Sequence, residues 1–227
     1  MRKFFSYDPK LLVYGFLIVF FASYGQTFFI SLFNNEIRFY YGLSDGEFGL
    51  VYAISTLFSS FILISFARLI DHIDLRIYSL IVTVGLLLAC VGMMIMINNI
   101  FYLFITIFML RFFGQGAMTH AGETTMARYF GNNRGKALSV ATLGGMAGVM
   151  FLPYISLNYF KDIEMKQLWI YASISIVVFT PFIFIALAGQ TARHDKFDQA
   201  LINDPLNLKL RTRDIFKDKK FYIYLPL

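Results

Sequence analysis

Charge is scarce in this chain. Asp, Glu, Lys and Arg make up 15% of its 227 residues, against 58% hydrophobic ones, whereas soluble domains carry about 25% charged residues. Water is therefore a poor solvent for much of this sequence. Cysteine is scarcer still: Cys90 stands alone inside an apolar stretch. No internal disulfide can form, and the thiol says nothing about the redox compartment. The three histidines, His72, His120 and His194, are too scattered to suggest a metal site. Neither His-Glu-x-x-His nor Gly-x-x-x-x-Gly-Lys occurs, so zinc-protease and phosphate-loop signatures are lacking. No cofactor is expected.

Long apolar sequence is what the chain has in plenty. A bilayer core about 30 Å thick takes about 20 apolar residues in a helix. Leu11–Phe33, Phe48–Ala67, Ile77–Ile97, Ile100–Thr119, Ala137–Phe160 and Leu168–Ala188 all qualify. The expected fold is all-α and polytopic, because a helix satisfies its own backbone in lipid. A β-barrel would show short alternating segments instead. The first stretch is too long for a signal-peptide core and no small-residue cleavage site follows it, so it stays as the first span.

The net charge of +6 does not point to nucleic acid, because of where it lies. With the N-terminus inside, the cytoplasmic segments hold sixteen Lys/Arg: Arg2, Lys3, Lys10, Arg68, Arg76, Arg128, Arg134, Lys136 and eight between Arg193 and Lys220. The outer loops hold three, Arg38, Lys161 and Lys166. This asymmetry orients the chain N-in with an even number of spans, as a multi-pass protein of the cell (inner) membrane. Phe39, Tyr40, Tyr41, Tyr102, Tyr159, Phe160, Trp169 and Tyr171 gather near the outer ends, as interfacial anchors do.

Asn98 and Asn99 mark a tight outer turn between the third and fourth spans. The fourth continues as a helix through Glu123 towards Arg128, and Gly131–Gly135 turns into the fifth. Residues 1–189 thus read as a six-helix bundle and 190–220 as a cytoplasmic connector with a short helix around Phe197–Ile202. Residues 221–227 read as the start of a seventh span at which the sequence is truncated; an interfacial tail is the alternative. A faint internal repeat pairs Tyr24-Gly25-Gln26 with Phe113-Gly114-Gln115, and Ser55-Thr56-Leu57 with Ala141-Thr142-Leu143. Paired segments run in opposite directions, as in inverted three-plus-three repeats.

Arg111 is the sharpest residue. It lies about 18 Å into the fourth span at about 1.5 Å per residue, where an arginine costs at least about 2.5–3.5 kcal/mol on insertion scales. It must face a polar cavity or a partner, with Gln115 and Thr119 following on the same stripe. A substrate contact and a structural bond to helix carbonyls are both open. No Asp or Glu lies near the midplane of any span. His120 and Glu123, at i and i+3 near the inner end of the fourth span, are the candidates for proton coupling or for partnering the loop after span two; ordinary interfacial polarity is the alternative. In span one, Ser23-Tyr24-Gly25-Gln26-Thr27 interrupts the apolar run. Gly25 loosens the helix there, and Gln26 either faces a cavity alongside Arg111 or glues helices together.

The segment Arg111-Phe-Phe-Gly114-Gln-Gly116 resembles the fourth-helix signature of the major facilitator superfamily. The loop Ala67-Arg68-Leu69-Ile70-Asp71-His72-Ile73-Asp74-Leu75-Arg76 is similar to that family's motif Gly-x-x-x-Asp-Arg-x-Gly-Arg-Arg/Lys. It keeps the acid Asp71 and the base Arg76, and departs from the pattern at Ala67, His72, Asp74 and Leu75. Gly144, Gly148 and Pro153 resemble the Gly/Pro-rich fifth helix that lies between the family's two halves, though packing within one bundle explains them too.

The resemblance implies one half of such a transporter, followed by a C-terminal six-helix half. It implies Asp71 as part of a cytoplasmic gating loop, and secondary transport by alternating access. The expected partners are the lipid bilayer and a small-molecule solute, most simply an organic anion such as a carboxylate. Arg111, Gln115, Gln26 and Tyr24 would contact it. The pattern is also similar to oxalate–formate and monocarboxylate porters. A six-span scaffold protein, or a membrane enzyme using His120 and Glu123 as acid and base, are the competing readings.

Overall fold

Among the described residues, six helices are long and apolar enough to cross a membrane. The computed structural model describes residues 7–159 and 164–202. Span one is Pro9–Ser31, span two Asp45–Asp71, span three Leu75–Ile95, span four Ile100–Tyr129, span five Gly131–Asn158 and span six Met165–Ala186. No strand occurs among the described residues. Span four reaches Tyr129, so the helical extension past Glu123 is real.

Several spans begin on a polar cap that the apolar sequence around it makes necessary, since the first N–H groups of a helix have no internal acceptor. Asp8 accepts from the Leu11 amide at 3.1 Å, with Pro9 in the first turn. Ser44 and Glu47 form a reciprocal capping box. Asp74 accepts from the Arg76 amide at 2.7 Å, and Asn99 from Phe101 and Tyr102 at 2.8 and 3.3 Å. The string Gly42-Leu43-Ser44-Asp45-Gly46 has the spacing of a hydrolase nucleophile turn. Its serine is this helix cap, and no strand precedes it among the described residues.

Span one forms the centre of the bundle. It packs on spans four, five and six, and span six also packs on span three. Much of the outer surface of spans two and five is apolar, with Phe61, Leu57, Met150 and Leu157 exposed. Lipid tails give helices no hydrophobic reason to associate, so close packing and interhelical hydrogen bonds hold such bundles. Both are present. Tyr14 bonds Ser79 across spans one and three at 2.9 Å, and Tyr24 bonds Ser175 of span six at 2.8 Å.

Spans one and four cross backbone to backbone. A Cβ added at Gly114 would stand 2.7 Å from the Gly25 Cα and 2.9 Å from its nitrogen, and one added at Gly25 would overlap the Leu110 carbonyl oxygen. These glycines are the two paired by the faint repeat.

The chain forms two compact units, divided after Gln190. A helix spans Gln190–Ile202, longer than the short helix expected around Phe197–Ile202. The remainder of the connector and the expected seventh span, 221–227, lie outside the described residues.

Candidate solute cleft

Span one does not cross as one α-helix. It passes through a tight turn of 3-10 helix at Ser23–Gly25, an extended residue at Gln26 (φ −80°, ψ 152°), and resumes at Thr27. The break leaves backbone carbonyls without helical donors in the middle of an apolar bundle, where an unpaired group is costly. Opposite it, span four widens into a π-helix over Leu110–Met118. Hydrogen bonds there run from i to i+5, so Gln115 and Gly116, four and five residues on, both share the face of Arg111.

Arg111 fills the gap between the two irregular segments. It is 6% exposed. Its Nη1 donates to the Gly25 carbonyl at 3.4 Å and to Thr27 Oγ1 at 3.0 Å, and its Nε donates to Thr56 Oγ1 of span two at 3.2 Å. The guanidinium also lies over the Tyr52 ring, 5.2 Å from its centroid, and the Tyr52 hydroxyl donates to Thr27 at 2.9 Å. All these partners are neutral. Among the described residues Arg111 has no ion pair.

Arg111 lines a cleft of about 250 Å³ between spans two and four, with Thr56, Ser59, Ser60, Gln115, Thr119 and, farther along, His120 and Glu123. A second cleft, of about 360 Å³, lies between spans one and five and holds Gln26, Thr142, Gly145, Met146, Val149 and again Glu123. Their linings follow the spacing of the faint sequence repeat. Thr142, Gly145, Met146 and Val149 each stand 86 positions after Thr56, Ser59, Ser60 and Leu63, and Gln115 stands 89 after Gln26. Only the span-two side is rich in hydroxyls.

The residues singled out in the sequence therefore separate. Arg111 and Gln115 share one cleft, and Gln26 lies in the other. Gln26 is thus not alongside Arg111, because the helix break turns it towards span five. Tyr24 faces away from both: buried, bonded to Ser175 and edge-on to Phe29. It lines neither cleft. His120 lies 3.3 Å from Thr124 Oγ1, and neither it nor Glu123 bonds the loop after span two. Glu123 is exposed and borders both clefts.

Asp71 and Arg76 do not pair with each other. Asp71 forms an ion pair with Arg128 at the inner end of span four, and Arg128 also reaches the Ile70 carbonyl. Arg76 lies 3.8 Å from Asp74, the capping residue of its own helix. Gly144 and Gly148 pack within the bundle. A Cβ at Gly144 would overlap the Phe16 carbonyl oxygen, and one at Gly148 would overlap Ser23 Oγ. Pro153 sits within the span-five helix and cannot donate to the carbonyl of Val149, a lining residue.

Tyr52, Ser59 and Ser60 were not recognisable as site residues in the sequence. Ser59 and Ser60 follow Thr56 at helical spacing, which is a signal, but small hydroxyls are common in membrane helices as packing contacts. A family model described as Major Facilitator Superfamily matches residues 15–227. No curated protein and no solved structure shows significant similarity to the chain.

Proposed function

The chain belongs to the Major Facilitator Superfamily, and on that premise we propose that it is a secondary transporter of a small organic anion, working by alternating access of two six-helix bundles. The observation that carries the anion is the charge of Arg111. Its guanidinium is buried in the bundle, yet every partner it has is neutral. A carboxylate entering the cleft supplies the missing charge and accepts paired N–H donors, the strongest kind of contact an arginine makes.

In this reading Arg111 anchors the anion and Gln115 orients it. Gln26 acts from the sister cleft, and Glu123 with His120 forms the proton-responsive pair at the inner end. Asp71 belongs to a cytoplasmic gate, steadied by Arg128 on its own side. The exposed apolar faces of spans two and five support a second six-helix bundle as the partner, reached through the connector 190–220 and the segment 221–227. The excess of Lys/Arg in one set of loops supports an N-terminus in the cytoplasm and insertion in the cell membrane.

The test is uptake of labelled carboxylates by the full-length protein in proteoliposomes. Arg111→Ala abolishes uptake, and Arg111→Lys, which keeps the charge and loses the paired geometry, leaves a small fraction of it. Because Arg111 also ties span one to span four, each variant is checked for folding by gel filtration. Undiminished uptake by folded Arg111→Ala sinks the anion assignment.

A further inference from the structure

We propose that an anionic phospholipid binds the groove between spans one and six, its headgroup on Lys10 and an acyl chain along Val13, Leu17, Phe179 and Phe182. This rests on the membrane reading above and, for the cytoplasmic leaflet, on the inward N-terminus.

Spans one and six pack on each other and leave a groove of about 320 Å³ between them. Lys10, Val13 and Leu17 stand at i, i+3 and i+7, so they share one face of span one. Phe179, Phe182 and Ile185 recur every three residues along span six and form the other wall. Val13, Phe182 and Ile185 are half exposed or more, so the groove opens outward, onto lipid in a membrane. Phe179 is held by its neighbours: its ring lies 5.4 Å from that of buried Phe21 and 5.7 Å from that of Phe182.

Every residue lining the groove except Lys10 is apolar. The occupant is therefore apolar along its length and charged at one end. Lys10 is exposed at the very start of span one, where the span meets the membrane surface. Among the described residues it has no ion pair. Asp8, the acid nearest to it in sequence, caps the Leu11 amide. An ammonium has three donors and no acceptor, so it selects an anionic headgroup. From Lys10 to Leu17 the helix rises about 10 Å at about 1.5 Å per residue, within the roughly 15 Å of hydrocarbon in one leaflet. A phospholipid standing in its own leaflet thus reaches both ends of the groove. A soluble carboxylate would leave the aromatic wall unfilled, and an apolar helix would leave Lys10 without a counter-charge.

The experiment places the full-length protein in phosphatidylcholine nanodiscs with a trace of phosphatidylglycerol that carries a photoreactive acyl chain. Labelled peptides are mapped by mass spectrometry. Labelling is expected at residues 13–17 and 179–185, and unlabelled phosphatidylglycerol should compete for it about fivefold better than phosphatidylethanolamine. Glycerophosphoglycerol, the headgroup without its chains, should not compete. Lys10→Gln erases the fivefold advantage and Lys10→Arg keeps it. Lys136→Gln removes an exposed lysine at the start of span five and leaves the advantage intact. Val13→Trp fills the groove and lowers the labelling severalfold with Lys10 in place; if that variant fails gel filtration, the Lys10 variants decide. Equal competition by the two lipids, competition by the bare headgroup, or the same loss from Lys136→Gln as from Lys10→Gln overturns the site. Nanodiscs present both leaflets, so these outcomes do not depend on orientation. Protease access to an N-terminal tag on intact cells reads orientation separately, and an outward tag overturns the leaflet alone.

Discussion

Replacing Gly25 by alanine forces spans one and four apart. The new Cβ would overlap the Leu110 carbonyl oxygen and stand 2.7 Å from the Gly114 Cα. Carbon atoms rest at about 3.5–4.0 Å, so the helices must part by at least about 0.8 Å. The Arg111–Gly25 carbonyl bond, already 3.4 Å long, then passes about 4 Å and ceases to be a hydrogen bond. Overpacking costs about 1–3 kcal/mol and the charged hydrogen bond about 1.5–3 kcal/mol, for a loss on the order of 2.5–6 kcal/mol. Gly46→Ala is the control, since nothing lies within 4 Å of its added Cβ. There the helix gains up to about 1 kcal/mol from the alanine. Cys90, the only cysteine and fully buried, reports unfolding through a thiol-reactive fluorogenic dye during a thermal ramp. Gly25→Ala should melt well below the wild type and Gly46→Ala at or slightly above it. Gly114→Ala should resemble Gly25→Ala, and the double variant should fall short of the sum, because both relieve one contact. Equal melting of Gly25→Ala and Gly46→Ala would refute the crossing.

Gly144→Ala should destabilise more than Gly148→Ala in the same melt, because it strikes the Phe16 carbonyl rather than the Ser23 side chain; Ser23→Ala should partly rescue only the latter. Asp71→Asn should cost at most about 1 kcal/mol, since the Asp71 side chain is 55% exposed. The exchange Asp71→Arg with Arg128→Asp should restore most of it, and a larger loss would show a buried role. Tyr24→Phe should lower the melting point modestly, by the loss of one interhelical bond worth about 0.6–2 kcal/mol, without raising the half-saturating solute concentration; a rise would put Tyr24 back in the cleft. Tyr52→Phe keeps the ring over Arg111 and should transport better than Tyr52→Ala, measured as initial uptake rate.

The outline of the spans was legible because bilayer thickness acts on composition alone. Twenty apolar residues in a row declare a crossing whatever surrounds them. The turn at Asn98 and Asn99 was equally local, and in the structure Asn99 serves amides two and three residues on. Arg111 was legible for the same reason, since a cation at mid-depth is expensive in any packing. Its partners were not. Nothing near Gly25 in the chain says that its carbonyl points at residue 111, and nothing near Tyr52 says that its ring lies under a guanidinium.

Length and apolar composition therefore sufficed for six helices and one conspicuous arginine, because each depends on a residue and the solvent around it. Which cleft each polar residue faces was decided by the tertiary structure. The break at Gln26 turns that side chain to span five and leaves Tyr24 buried against span six. The π-helical turn brings Gln115 and Gly116 together onto the face of Arg111. The contact of Gly25 with Gly114 joins two segments that pair only faintly in the sequence. These are matters of how backbones meet across the bundle, and a one-dimensional chain does not carry the distance between residues 25 and 114 until it folds.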